Sequence, residues 1–374
     1  MSSKILETSL NACSIVSQTL EAAFHKKQYD QSGRKLAPLP FGVQIAQSIL
    51  GALSCVILFL VGREVFGKPV GLLAAGIYSV DYLAVRQAAS VMPEIVFVFF
   101  LLLSTWLTME GQKENRMDKL ALGGIFAGAS VLTKEVLIFY FILLSFWFLW
   151  DSLPWKRRIF RAAIFFLGFS LVTGPWVVRN RLVFGKWGFV TSNVGHMFYL
   201  GNNPLISGRM VGEEWEYSDD SGYPQQDPAL PPLYTPEADR YLLRLGVQYV
   251  RSHPGRFLEL SAGKILRFWF PFYRGSPALA KWLTLLSYLP VLGFGGAGIF
   301  IFGSARRWKE LVPLAAPIVY LTLVSSITIS SIRYRYPVMP FLTLFAAFSI
   351  HKIWSPARKE NLPASRRVLE SAKA

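Results

Sequence analysis

Five groups of ionisable residues interrupt a sequence that is otherwise mostly apolar. Asp81 and Arg86 flank the end of one apolar run, and Glu94, after Pro93, opens the next. Lys134-Glu135 separates two further runs, Arg179-Asn180-Arg181 closes another, and Arg333 and Arg335 precede the last. Ionisable groups at membrane depth are costly and are functional candidates by default. Lysine and arginine so placed bind a lipid phosphate, as a point charge or a bidentate fork, which makes Lys134, Arg179, Arg333 and Arg335 candidate phosphate ligands. Each group also has a plainer reading. Glu94 suits a helix N-terminus, where a carboxylate is favoured. Lys134-Glu135 suits the solvated tip of a helical hairpin, and Arg179 suits an interfacial anchor.

A second candidate region is polar. Gly174-Pro175-Trp176 ends an apolar run, and Thr191 to Asn203 is rich in Gly and Asn. Asn and Gly tolerate the left-handed backbone angles of a tight, ligand-facing loop, so Asn193, His196, Asn202 and Asn203 are candidate loop ligands. His196, with a carboxylate such as Glu94, is also a candidate ligand for a divalent metal, although a lone histidine usually is not one. The acids from Glu213 to Asp220 read as a solvated loop.

The elements that position these residues follow from composition. Of 374 residues, 52% are hydrophobic and only 17% charged, below the roughly one quarter of a soluble domain. This is the composition of a polytopic, all-α membrane protein. The net charge of +16 does not indicate nucleic acid, because the basic residues sit between apolar runs; an anionic lipid surface is the better partner. Cys13 and Cys55 provide neither a disulfide framework nor a zinc spacing.

Nine apolar runs read as membrane spans, the first meeting the roughly 20 residues needed to cross about 30 Å of hydrocarbon and the fourth being short. They are 41–61, 69–85, 91–109, 120–132, 136–150, 159–178, 282–302, 311–329 and 337–350. The chain then divides into an N-terminal segment, 1–40, spans within 41–178, an outer loop domain, 179–280, spans within 281–350, and a basic tail, 351–374. Gly123, Gly124 and Gly128 predict close helix contact in the fourth span. Thr235-Pro236-Glu237 predicts a capped helix start, and 256–269 reads as a helix lying in the membrane interface. Short connections carrying Arg63 and Lys68, Lys113 to Lys119, Lys156 to Arg161 and Arg306 to Lys309 are far more basic than those opposite. The positive-inside rule places them, and the C-terminus, in the cytoplasm, with the candidate residues and the N-terminus outside, in the periplasm or exoplasm of a bacterium or the lumen of a eukaryote; a bacterial inner membrane is the expected setting.

Several strings resemble one family. LLAAGIYSVDYL with SVMPEIVFVFF, GGIFAGASVLTKE, GPWVVRNRLVFGKWGFVTSNVG with YLGNNP, RSHPGRFLELSAGKILRFW and RYRYPVMPFL are similar, in order and spacing, to segments of GT-C membrane glycosyltransferases. Protein O-mannosyltransferase-like and aminoarabinose-transferase-like enzymes are the close relatives that the resemblance implies. The resemblance implies a polyprenyl-phosphate-linked sugar as donor, an acceptor on the outer face, a carboxylate that deprotonates the acceptor hydroxyl, and basic residues, sometimes with a divalent metal, that stabilise the leaving phosphate. It maps the acid onto Glu94 and lipid-phosphate positions onto Lys134 and Arg179. The family normally also has an earlier helix and an outer loop bearing a paired-acid catalytic base. Neither stands before Phe41, so Asp81 is the substitute base on this reading. The alternatives are an inactive or truncated relative, or a membrane protein that binds or transports polyprenyl phosphate.

Overall fold

The computed structural model describes residues 41–90, 92–150, 153–184, 194–211, 214–217, 223–224, 227–233, 235–272, 276–305 and 307–360, apart from some side chains within these stretches. The segment before 41, Asn193 and the tail after 360 lie outside the described residues.

Helices dominate, because apolar residues cover most of the chain and a helix satisfies its backbone polar groups internally, as hydrocarbon requires. In order they are α1 (Phe41–Phe66), α2 (Lys68–Ser79), α3 (Tyr82–Ala89), α4 (Glu94–Glu114), α5 (Met117–Thr133), α6 (Ile138–Leu149), α7 (Trp155–Phe184), α8 (Val194–Gly201), α9 (Pro236–Ser252), α10 (Pro254–Trp269), α11 (Ala278–Ser304), α12 (Trp308–Ile327) and α13 (Met339–Glu360). Short 3-10 turns, Glu135–Leu137 and Ile332–Val338, lead into α6 and α13.

Among the described residues, six helical stretches are long and apolar enough to cross a membrane. They are Phe41–Phe66, Glu94–Glu114, Trp155–Val183, Ala278–Ser304, Trp308–Ile327 and Ile332–Ser355. Six of the nine expected spans reach this length, and the other three are shorter helices. The second is two helices, because Asp81 caps α3 and breaks the run. The fourth, α5, has 17 residues and reaches about 26 Å at the usual rise; the fifth, α6, has 12. The segment between α7 and α11 is not wholly helical either. Ile206–Val211 and Glu214–Tyr217 pair as an antiparallel hairpin, with Val211 opposite Glu214 and Ile206 opposite Tyr217, where the sequence suggested a solvated acidic loop. Large apolar side chains such as Leu167, Leu171, Leu286 and Phe300 point outward, as they do in an integral, multi-pass membrane protein.

Glycines set the closest approaches. A Cβ on Gly124 would lie 1.9 Å from the Phe165 carbonyl oxygen, and one on Gly168 would lie 2.2 Å from that of Ala121. Backbone therefore packs on backbone between α5 and α7. Gly124 meets Phe165, and Gly128 meets Phe169 and Val172. Contacts advance along both helices together, so α5 and α7 run parallel and their C-termini leave the bundle at the same end.

Candidate functional site

Glu94, Lys134 and Arg333 meet at that end. Glu94 is the first residue of α4, and its side chain is 1% exposed. Lys134 ends α5 in an extended conformation, which turns the chain into a 3-10 turn instead of continuing the helix. Its Nζ lies 2.9 Å from Glu94 Oε1, and Arg333 Nε lies 3.7 Å from the same oxygen. Both cations also flank the Tyr334 ring, at 5.0 Å for Lys134 and 5.4 Å for Arg333. Three separate elements thus deliver one carboxylate and two cations.

The surroundings hold this arrangement. Gln47 of α1 donates from Nε2 to the Met92 carbonyl at 2.8 Å, which fixes the entry to α4. Ser104 Oγ donates to the Gly123 carbonyl at 2.8 Å, locking α4 to α5. Tyr320 of α12 donates to the Val136 carbonyl at 2.7 Å and fixes the turn after Lys134. Glu94 lies beneath its partners, whose side chains are 22% exposed for Lys134 and 40% for Arg333. The accessible surface of the cluster is therefore cationic, and Glu94 Oε2 is buried with no hydrogen-bond partner among the described residues.

Asp81 lies elsewhere. Its Oδ1 accepts from Ala84 N at 2.8 Å, capping α3, and the residue is buried. Between the two acids stand Tyr78 and Tyr336, whose hydroxyls are 3.0 Å apart. Both carboxylates lie within electrostatic range of Tyr336. Arg335 is fully buried, with its guanidinium 3.7 Å from the Tyr288 ring centre. It donates to the carbonyls of Phe268, Phe270 and Pro271. These contacts tie the end of α10 to the start of α13. Arg179 is exposed, 5.0 Å from the Trp176 ring centre, and donates to Asn180 Oδ1 at 3.0 Å. It leaves the bundle at the same end as Lys134.

The loop candidates act as joints. His196 Nδ1 lies 3.1 Å from Asp239 Oδ1, which also accepts from the His196 backbone N–H, so α8 is pinned to α9. Asn202 Nδ2 donates to the carbonyls of Phe198 and Ile327. Asn203 Nδ2 donates to Tyr199 O, while its Oδ1 accepts from Leu205 N. A divalent metal does not fit here: Glu94 faces two cations, His196 faces Asp239, and among the described residues no three His, Cys, Asp or Glu side chains converge.

Sequence reasoning missed Lys264. It is fully buried on α10, and its Nζ donates to Asn202 Oδ1 at 2.9 Å. Burial pushes its pKa down from 10.5 to about 7. On this helix, which the sequence reads as lying in the membrane interface, Lys264 and Arg267 are buried while Leu258 and Leu266 are exposed. The spacing carried a signal: Lys264 stands four residues from both Leu260 and Phe268, which are buried on one helical face.

In its fold this helical bundle, with a buried charge cluster at one end, is similar to solved membrane oligosaccharyltransferases. Within it, residues 39–177 match the family described as dolichyl-phosphate-mannose-protein mannosyltransferase, a stretch that includes Asp81, Glu94 and Lys134. The fold is similar to that of the Archaeoglobus fulgidus oligosaccharyltransferase in its apo form. The TM-score is 0.51 at 17% identity, over 89% of this chain and 41% of that one. The same enzyme tethered to an acceptor peptide containing the NVT sequon gives a TM-score of 0.50 at 16% identity, over 87% of this chain and 40% of that one. The chain thus spans about two-fifths of the length of those enzymes, and the likeness is one of fold. A comparison with curated protein sequences gives no match.

Proposed function

We propose that the chain acts as a membrane glycosyltransferase that moves a sugar from a polyprenyl-phosphate donor to a lipid, glycan or protein acceptor on the extracytoplasmic face. The observation that carries this reading is the pair of partly exposed cations, Lys134 and Arg333, held by one buried carboxylate, Glu94. Two positive charges against one negative leave a surplus suited to a phosphate. When the acceptor oxygen bonds to the anomeric carbon, the bond from that carbon to phosphate oxygen breaks and its electron pair stays with the lipid phosphate. Lys134 and Arg333 stabilise the charge that develops there, and Arg179, at the same end, attracts the lipid. Glu94 orients the two cations, and its Oε2 or the Asp81 carboxylate takes the acceptor proton.

The side assignment rests on charge. The end opposite Glu94 carries Arg63, Lys113, Arg116, Lys119, Arg161, Arg307 and Lys309, and the positive-inside rule places such an end in the cytoplasm. α13 starts beside the cluster and runs to the basic end, so the C-terminus is cytoplasmic.

A second reading, binding of polyprenyl phosphate without transfer, is favoured by one feature: Glu94 and Asp81 are both enclosed, and Asp81 is engaged as a helix cap. The discriminating assay is sugar release from a polyprenyl-phosphate-sugar donor by the reconstituted chain, with wild type, Glu94→Gln and Lys134→Ala compared. Release that falls by about 100-fold in both variants, the range for loss of a transition-state charge contact, supports transfer. Equal rates in all three remove the site assignment, and donor binding without release selects the second reading.

A further inference from the structure

Helix α10 grips the stretch that carries Arg333 on both sides of that residue. Upstream, Ile329 packs against Leu260 of α10 and against Ile206. Downstream, Arg335 donates to the carbonyls of Phe268, Phe270 and Pro271 at the end of α10. Between these two holds, Arg333 lies in the 3-10 turn Ile332–Val338 and places Nε 3.7 Å from Glu94 Oε1. The upstream hold has a polar part as well. Lys264, one turn before Phe268 on the buried face of α10, donates from Nζ to Asn202 Oδ1 at 2.9 Å. Asn202 Nδ2 donates in turn to the Ile327 carbonyl at 2.7 Å and to that of Phe198 at 2.8 Å. Ile327 ends α12, and the chain runs from there to Arg333.

A lysine is a costly choice for this task. It is fully buried, and the oxygen it bonds is that of a neutral amide, which offsets little of the lost hydration. What an amine supplies is direction. Its N–H groups require the oxygen of Asn202 on their side, so the amide nitrogen faces α12, where the last helical carbonyls need donors. The space around this contact is closed. A Cβ on Gly201 would lie 1.9 Å from the Thr328 carbonyl oxygen and 3.1 Å from Lys264 Nζ. Backbone therefore meets backbone between α8 and the end of α12, directly beside the amine. An apolar side chain at 264 would suit the neighbouring Leu260 and Phe268, yet leave the Asn202 amide free to turn over.

We propose that Lys264 is a positioning residue for Arg333: by orienting Asn202 it fixes the end of α12, from which the chain runs on to Arg333, and so holds that guanidinium on Glu94 and open to a phosphate. This role rests on the reading of the Glu94 cluster as the phosphate site. Lys264→Met keeps the length of the side chain and removes the donor. Asn202→Asp keeps an acceptor for Lys264 and removes the donor to Ile327, so it remains informative if Lys264→Met does not fold. Two measurements are made on the full chain in detergent. Hydrogen exchange without ligand quickens at least about fivefold over 328–334 in both variants and is unchanged over 136–138, the turn after Lys134. The affinity for polyprenyl phosphate falls about tenfold in each variant, as for the loss of one charge contact. That fall persists when Lys134→Ala is added and shrinks to under about twofold when Arg333→Ala is added, because the contribution of Arg333 is the one displaced. Unchanged exchange over 328–334 overturns the proposal. So does an affinity loss of the same size with and without Arg333, which is the mark of general destabilisation. An affinity that Arg333→Ala itself leaves unchanged sinks the phosphate reading, and this role with it. Exchange over 328–334, measured without ligand, separates that failure from a failure of Lys264 to hold the segment.

Discussion

Lys134 and Arg333 share one carboxylate, and the energetics of that sharing differ from those of a surface pair. Glu94 is almost wholly enclosed, and an enclosed charge that loses its partner costs on the order of 3 kcal/mol. Arg333 remains beside it when Lys134 is removed, so Lys134→Ala folds and loses ligand binding, whereas the double variant Lys134→Ala/Arg333→Ala loses both binding and stability. Thermal unfolding of the two variants in detergent checks this: the double variant melts several degrees below the single one. Lys264 gives a second expectation at this scale. Its pKa in the folded chain is about 7, against 10.5 when unperturbed. Between those values the unfolded chain binds more protons, so stability rises with pH from about 7 upward and is lower once the buried amine is charged below that. Lys264→Met removes this slope, which unfolding measured at pH 6.5 and pH 9 will show; an unchanged slope contradicts the burial argument.

At the scale of elements, the site depends on how closely helices approach. Gly124 and Gly168 allow α5 to lie backbone-to-backbone on α7, which places the end of α5, and so Lys134, at one fixed height. Gly124→Val forces the pair apart and costs about 3 kcal/mol, the upper part of the usual range for overpacking; the drop in melting temperature measures it. Much of this architecture was legible in advance. The long apolar runs became the six long spans, the Gly-rich stretch before Lys134 became the close contact, and Thr235 accepts from Ala238 N at 3.2 Å to start α9. The shorter runs were not legible as they stand. Hydropathy over 69–85 does not show that Asp81 turns its carboxylate onto Ala84 N and ends the run. Nor does apolar character distinguish a full span from the 12 residues of α6, because buried core helices share it.

For the whole molecule, the candidate site was partly legible. Residue type and position at the ends of apolar runs singled out Glu94, Lys134 and Arg333, yet sequence alone could not pair α4, α5 and the segment before α13 across more than two hundred residues. The same signal singled out Arg335, whose donors are directed to three backbone carbonyls. A charge at the mouth of a bundle and a charge that stitches it together look alike in one dimension. The loop candidates show this as well, since Asn202 joins α8 to α12 through Ile327 and to α10 through Lys264. Topology can be checked at this scale by cysteine labelling in sealed vesicles. A cysteine at Arg333 reacts with an impermeant reagent from the extracytoplasmic side, and one at Lys309 reacts only from the cytoplasmic side. The reverse pattern inverts the orientation.

The most direct measurement is the affinity of the purified chain for polyprenyl phosphate, determined by calorimetry for wild type and for Lys134→Ala/Arg333→Ala. With two cations on one phosphate, each worth about 1.4 kcal/mol or more, the double variant binds at least about 100-fold more weakly. Equal affinities would mean that the phosphate sits elsewhere and that the Glu94 cluster serves only to hold three helices together.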